Sequence, residues 1–174
     1  MKPAIKVLGV PDDINSSFMR GSSAAPPLIR EALYSVSSNL FSESGLNLDQ
    51  EGVWDDLGDI EFTGEVAVEN FKKIKTFVKD VLVSDQKLVS LGGDHSVSWP
   101  ILDAHLDKWD ALDILHIDAH PDLYDSLLGN KLSHASPFAR IMETGRASRL
   151  VQVGIRTLNK HQRKQAEKFG VEIY

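Results

Sequence analysis

The sequence predicts an α/β protein, with a parallel sheet covered on both faces by helices. Three observations carry that expectation. Short apolar runs alternate with longer amphipathic segments along the whole chain, the order that builds parallel sheets. Motifs rich in acids and imidazoles fall at the ends of those runs, where open parallel sheets collect their ligands. The 174 residues, 42% hydrophobic and 25% charged, suffice for a single domain over residues 1–174 with a substantial core.

Ile5 to Val10 reads as the first strand, ended by Pro11-Asp12-Asp13. After a Ser- and Gly-rich loop, Pro26-Pro27 opens a helix in whose first turn proline is tolerated. Its apolar positions are Leu28, Ile29, Ala32, Leu33 and Val36. An irregular connection over residues 40–52 leads to a short strand, Val53 to Leu57, stopped by Gly58-Asp59. Glu65 to Val83 is the best amphipathic helix, with Phe71, Ile74, Val78 and Val81 in its stripe and Lys72, Lys73, Lys75 and Lys79 turned outward. Then come a strand from Lys87 to Leu91, a helix from Ser96 to Leu106, and a strand from Asp113 to Ala119. A helix over Ser136 to Glu143, a strand over Leu150 to Ile155, a helix over Lys160 to Phe169 and the start of a strand at Val171 to Tyr174 complete the pattern. No internal repeat, low-complexity tract or linker interrupts it.

Composition narrows the function. A formal charge of -6 argues against general affinity for nucleic-acid phosphates and sits better with a cationic small molecule. The chain has no cysteine, which removes disulfides, thiolate zinc sites and cysteine nucleophiles. Lys2 and Lys6 flank a short apolar run at the N-terminus without the long apolar core of a signal peptide. No stretch approaches the ~20 apolar residues that span a bilayer, so no membrane partner and a cytoplasmic location are expected.

The chemistry concentrates in two segments, Gly92-Gly93-Asp94-His95-Ser96 and Asp118-Ala119-His120-Pro121-Asp122. On extended backbone, Asp118, His120 and Asp122 point to one side. The bland alternative, a solvated acidic turn, would leave charges at the end of the apolar run Ile114, Leu115, Ile117 without compensation. Carboxylates mixed with imidazoles suit a borderline divalent ion such as manganese, and four such ligands with His95 point to more than one ion. Asp94 is expected to orient His95 from behind. His116, deeper in the strand, reads as a buried hydrogen-bonded or outer-shell residue rather than a ligand, and His105 and His161 as surface histidines. His134, between a polar loop and a helix, is either part of that helix's cap or a proton shuttle. Gly154 and Arg156 divide evenly between packing and site roles.

These residues resemble a known family. Gly92 to Ser96, His116 to Asp122, Ser133-His134-Ala135-Ser136-Pro137-Phe138 and Gln152 to Arg156, in that order, are similar to the ureohydrolases: arginase, agmatinase, formimidoylglutamase and relatives. Gly9-Val10-Pro11 and Ala25 to Arg30 extend the match. The wording is nearest to plant-type arginases and agmatinase-like bacterial members. The resemblance implies a three-layer α/β/α fold with a mostly parallel sheet, two Mn2+ ions and a homo-oligomer, trimer or hexamer. It implies that His95 binds one ion and His120 the other, that Asp118 bridges them, that Asp122 completes the first, and that His134 shuttles the proton.

Two departures matter. Ala135 replaces the usual Gly after the shuttle His. The family's later Ser-x-Asp-x-Asp segment and substrate-contacting Glu have no counterpart before Tyr174, so the chain is expected to be an N-terminal portion, poorly active alone. The expected reaction is attack of metal-activated water on a guanidinium carbon, releasing urea. Arginine and agmatine stay unseparated: animal-type arginases carry Asn where this chain has Tyr124, and Tyr124 and Asn130 are the substrate-loop candidates. The alternatives are a formimidoylglutamase, a single-zinc amine deacetylase, or a non-catalytic metal-binding fragment.

Overall fold

The computed structural model describes residues 5–83 and 86–174. The part of the N-terminal reading that rests on Lys2 lies outside them. The elements are β1 (Ile5–Val10), α1 (Ala25–Leu33), β2 (Trp54–Asp59), α2 (Ala67–Leu82), β3 (Lys87–Gly92), α3 (Ser98–Lys108), β4 (Leu112–Ile117), α4 (Pro137–Glu143), β5 (Ala147–Val153), α5 (Lys160–Phe169) and β6 (Glu172–Ile173). Among the described residues no helix is long and apolar enough to cross a membrane.

The strand–helix order produces parallel pairing throughout, but in two sheets rather than one. One runs β2-β1-β3 and the other β4-β5-β6; among the described residues no ladder joins β3 to β4. Strand side chains alternate between faces, so each face can be traced. Leu8 and Val10 pack under α2 and α3 with Phe71, Ile74, Val78 and Ala104. On the opposite face Ile5, Val7, Val89 and Leu91 meet Ile29 and Leu33 of α1 around a cavity of about 250 Å³. That sheet is the middle of three layers. In the second sheet, Ile114 and Leu150 lie against a cluster from α3, α4 and α5 that includes Leu106, Phe138, Ile141 and Ala166. Its other face is open: Leu115 is 64% and Ile117 75% exposed.

Several boundaries move for identifiable reasons. α1 stops at Leu33, leaving Val36 outside the helix and fully exposed. Gly58 and Asp59 continue β2 instead of ending it. A register shift between Val7 and Gly9 accommodates Gly58 at φ 73, and Arg30 binds the Gly58 carbonyl together with Asp56 and Asp59. Lys75 does not turn to solvent; its ammonium lies 2.6 Å from Asp103 and 3.1 Å from Asp107 of α3. β4 ends two residues early, at Ile117, because the Asp118 carboxylate accepts the His120 N–H at 2.8 Å and closes a turn.

Candidate metal centre

His95 is delivered by the turn after β3. A Cβ on Gly93 would come 2.1 Å from the Asp12 carbonyl oxygen, so glycine is required for the loops after β1 and β3 to touch. The Asp94 N–H donates to that same carbonyl at 2.9 Å. The Asp94 carboxylate accepts the Ser96 N–H at 2.8 Å and the Ser16 hydroxyl at 3.1 Å. Asp94 therefore steadies the backbone that carries His95, and makes no hydrogen bond to the ring. The ring is held by Asp122, whose Oδ2 lies 2.5 Å from His95 Nδ1.

Asp118 and Asp122 come from the loop at the tip of β4. Asp122 sits at φ 46, in the left-handed region that a non-glycine residue occupies only when its surroundings hold it there. The result differs from three side chains in a row on extended backbone. His95, His116, Asp118 and Asp122 each offer a ligand-type atom, all within 4.8 Å of one another. His120 stands at the rim, its side chain 63% exposed and its Nδ1 3.3 Å from Asp118 Oδ1. His116, read from sequence as a buried, hydrogen-bonded or outer-shell residue, is buried inside the group with its Nε2 3.5 Å from Asp118 Oδ2.

The electrostatics suit a cation. Burial by itself would lower the His95 pKa, yet Asp122, Asp118 and Asp94 together raise it above its ordinary value. His116 goes the other way, lowered by burial and by neighbouring His95, and is neutral near pH 7. Burial tends to raise Asp118, but the His120 N–H and the two imidazoles lower it overall, so it is held ionised. Two carboxylates that draw a proton onto a buried imidazole place the same demand on any positive charge. A divalent ion with mixed oxygen and nitrogen preference meets it.

One cavity of about 470 Å³ holds the rest, lined by His95, Asp118, His120, Asp122, Tyr124 and His134 among others. His134 Nδ1 lies 3.1 Å from the Asn15 carbonyl oxygen. Since a carbonyl only accepts, Nδ1 carries a proton, and in the neutral ring Nε2 is the free base. Tyr124 accepts from Asn159 Nδ2 at its hydroxyl, 2.5 Å away, and stacks on His161, which also pairs with Asp125 at 3.0 Å. His161 is exposed, as the sequence suggests, and makes these contacts at the surface. Asn130 does not line the cavity wall; its Nδ2 donates to Asn15 Oδ1 at 3.1 Å. Gly154, at φ 88, lets the tip of β5 approach the Asp118 carbonyl, and the Arg156 side chain is exposed.

Asn15 is the residue that sequence reasoning missed. Only 6% exposed, it binds His134 through its carbonyl, Asn130 through its Oδ1, and Ser96 through its Nδ2 at 3.3 Å. It ties the His95 turn to the His134 loop. The available signal was its place in Asp12-Asp13-Ile14-Asn15, a polar group at the carboxyl end of a strand, where a site forms.

A parallel α/β scaffold whose strand tips gather carboxylates and imidazoles defines the class: an α/β protein with the donor set of a divalent-metal site. The chain belongs to the Arginase family, whose family model matches residues 3–174. It is 46% identical over 180 residues to Arginase 2, chloroplastic/mitochondrial, of Arabidopsis thaliana, covering 99% of this chain and 52% of the relative. N(1)-aminopropylagmatine ureohydrolase of Thermus thermophilus is 35% identical over 170 residues, covering 98% of this chain and 57% of the relative. Among solved structures, the arginase from Medicago truncatula superposes with a TM-score of 0.90 at 43% identity, over 99% of this chain and 56% of that one. The chain spans about half the length of the curated relatives it matches.

Proposed function

We propose that this chain carries the metal-holding half of a manganese-dependent ureohydrolase that cleaves a guanidino C–N bond and releases urea. The observation that carries the reading is the convergence of His95, Asp118 and Asp122 with His134 and His120 around one cavity. His95, Asp118, His120 and Asp122 are the residues that would hold the metal. When bound, a pair of divalent ions supplies a water activated for attack on the guanidinium carbon.

The protein's own groups do the rest. A guanidinium keeps its proton up to a pH above ~12 and is a poor electrophile, so the substrate arrives as a cation and its departing amine needs a proton. Asp118 and Asp122, as residues that would hold the ions, would have their charge offset by the metal, so they do not by themselves separate a cationic substrate from an acidic one such as formimidoylglutamate. His134 is anchored through Nδ1 on the Asn15 carbonyl, which leaves Nε2 to carry the proton to the amine. The 46% identity to a plant arginase favours arginine as substrate; the 35% identity to an aminopropylagmatine ureohydrolase keeps agmatine-like amines as the second choice.

The test is urea release by the full-length gene product with manganese, comparing arginine with agmatine. Turnover of arginine that is abolished in His120→Ala is the expected outcome. Absence of urea from either substrate, or full activity in His120→Ala, would overturn the assignment.

A further inference from the structure

Gln152 lies on β5, fully buried, in register with His116 on β4. Its side-chain Nε2 is 2.7 Å from the Pro121 carbonyl oxygen and 3.0 Å from His116 Nδ1. A carbonyl oxygen can only accept, so the atom facing Pro121 must be the NH2 of the amide, which fixes the orientation of the whole group. One hydrogen of that NH2 goes to Pro121 and the other is directed at His116 Nδ1. Nδ1 therefore accepts, and the single ring proton sits on Nε2. Phe138, with its ring centroid 4.1 Å from that of His116, and His95 at 5.3 Å leave the ring little room to turn over. The protonated nitrogen faces Asp118 Oδ2 at 3.5 Å and has no lone pair to offer a metal.

We propose that Gln152 is a positioning residue of this centre. It fixes His116 as the Nε2–H tautomer, whose Nε2 faces Asp118 Oδ2 at 3.5 Å without a hydrogen bond, and clamps the Pro121 peptide beside Asp122. His116 then faces a carboxylate and is not itself a ligand, although its ring nitrogen lies among the ligand-type atoms. Pro121 immediately precedes Asp122, the residue held at φ 46, so one buried amide braces both carboxylates at once. The consequence for metal rests on the manganese reading above; the tautomer does not.

The deciding experiment is long-range ¹H–¹⁵N correlation on the metal-free chain with labelled histidines. His116 is expected to show a pyridine-type Nδ1 and a pyrrole-type Nε2. The opposite pattern overturns the proposal. In Gln152→Leu the ring should populate both tautomers, and manganese affinity measured by titration calorimetry should fall about 10–100-fold, the range for outer-shell partners. His116→Gln places an amide N–H near the same point and should keep most of that affinity; a loss beyond ~100-fold would make His116 a ligand and sink the idea. A folded Gln152→Leu chain with unchanged affinity would do the same. Should that variant fail to fold, the wild-type tautomer alone decides. A wild-type ring protonated on Nε2 in a chain that takes up no manganese would remove the metal reading and leave the Gln152–His116 lock standing.

Discussion

The β2-β1-β3 sheet and the β4-β5-β6 sheet are made of the same strand–helix units, yet they meet solvent differently. The first lies between α1 on one face and α2 and α3 on the other. The second is covered on one face only and leaves Leu115 and Ile117 largely exposed. The candidate site residues are distributed the opposite way. The well-covered sheet contributes His95, while the half-covered one contributes Asp118, His120 and Asp122 from the tip of β4 and His134 from the loop that follows. Most of the candidate site residues therefore come from the half whose sheet is covered on one face only, and the two halves are joined through α3 and through the Asn15 hydrogen bonds. Trp99 of α3 packs against both core clusters.

The largest effect should come from the half that supplies most of the site. Asp118→Ala removes the carboxylate that faces both His116 and His120, and should reduce affinity for the divalent ion proposed above by more than the ~10–100-fold typical of outer-shell partners. Its unfolding in the absence of metal should lose only the contribution that the lowered Asp118 pKa makes to the fold, a smaller effect than that of Ile74→Ala. A variant that binds that ion normally would break the comparison.

Next comes the contrast in stability. Ile74 is fully buried under the first sheet, and Ile74→Ala should cost about 2–5 kcal/mol in urea unfolding. Leu115→Ala, on the open face of the second, should stay within about 0.5 kcal/mol. Equal costs would mean that the exposed face is covered in solution, and the comparison would fail.

The smallest and most specific prediction concerns pH in the metal-free chain. The His95 pKa is raised above its reference of 6.5, so its pairing with Asp122 stabilises the fold fully below pH 6.5 and is lost as pH rises through the higher folded value. Asp118 is lowered from 3.8, so its contribution is present above that pH and is lost on acidification. Unfolding free energy should therefore be greatest between those limits, and His95→Gln should flatten the alkaline side alone. A variant profile that parallels the wild type would show that the His95–Asp122 pair contributes nothing there.

Legibility in the sequence followed how local each signal is. α5 falls at Lys160–Phe169 as expected because both ends are marked within the chain. Asn159 caps the Gln162 N–H, and Gly170 takes the left-handed conformation at φ 65. α2 was legible from its apolar stripe. The fate of Lys75 was not, since it depends on two aspartates of a helix 28 and 32 residues further on. The site motifs were equally local, so His95, Asp118 and Asp122 could be picked out. The side chains' final company could not: period-two reasoning assumes extended backbone, and β4 stops where Asp118 turns on the His120 N–H.

Residue types and their order, by themselves, determined the parallel α/β architecture, the hard-donor character of the site and its place at the strand tips. Each of these follows from periodicity and from the coordination chemistry of carboxylate and imidazole. Only the tertiary structure decided that the strands form two sheets and not one, that Asn15 links His95's turn to His134's loop, and that a buried amide on β5 governs His116. Those outcomes depend on which groups, far apart along the chain, come within hydrogen-bonding distance, and no local pattern encodes that separation.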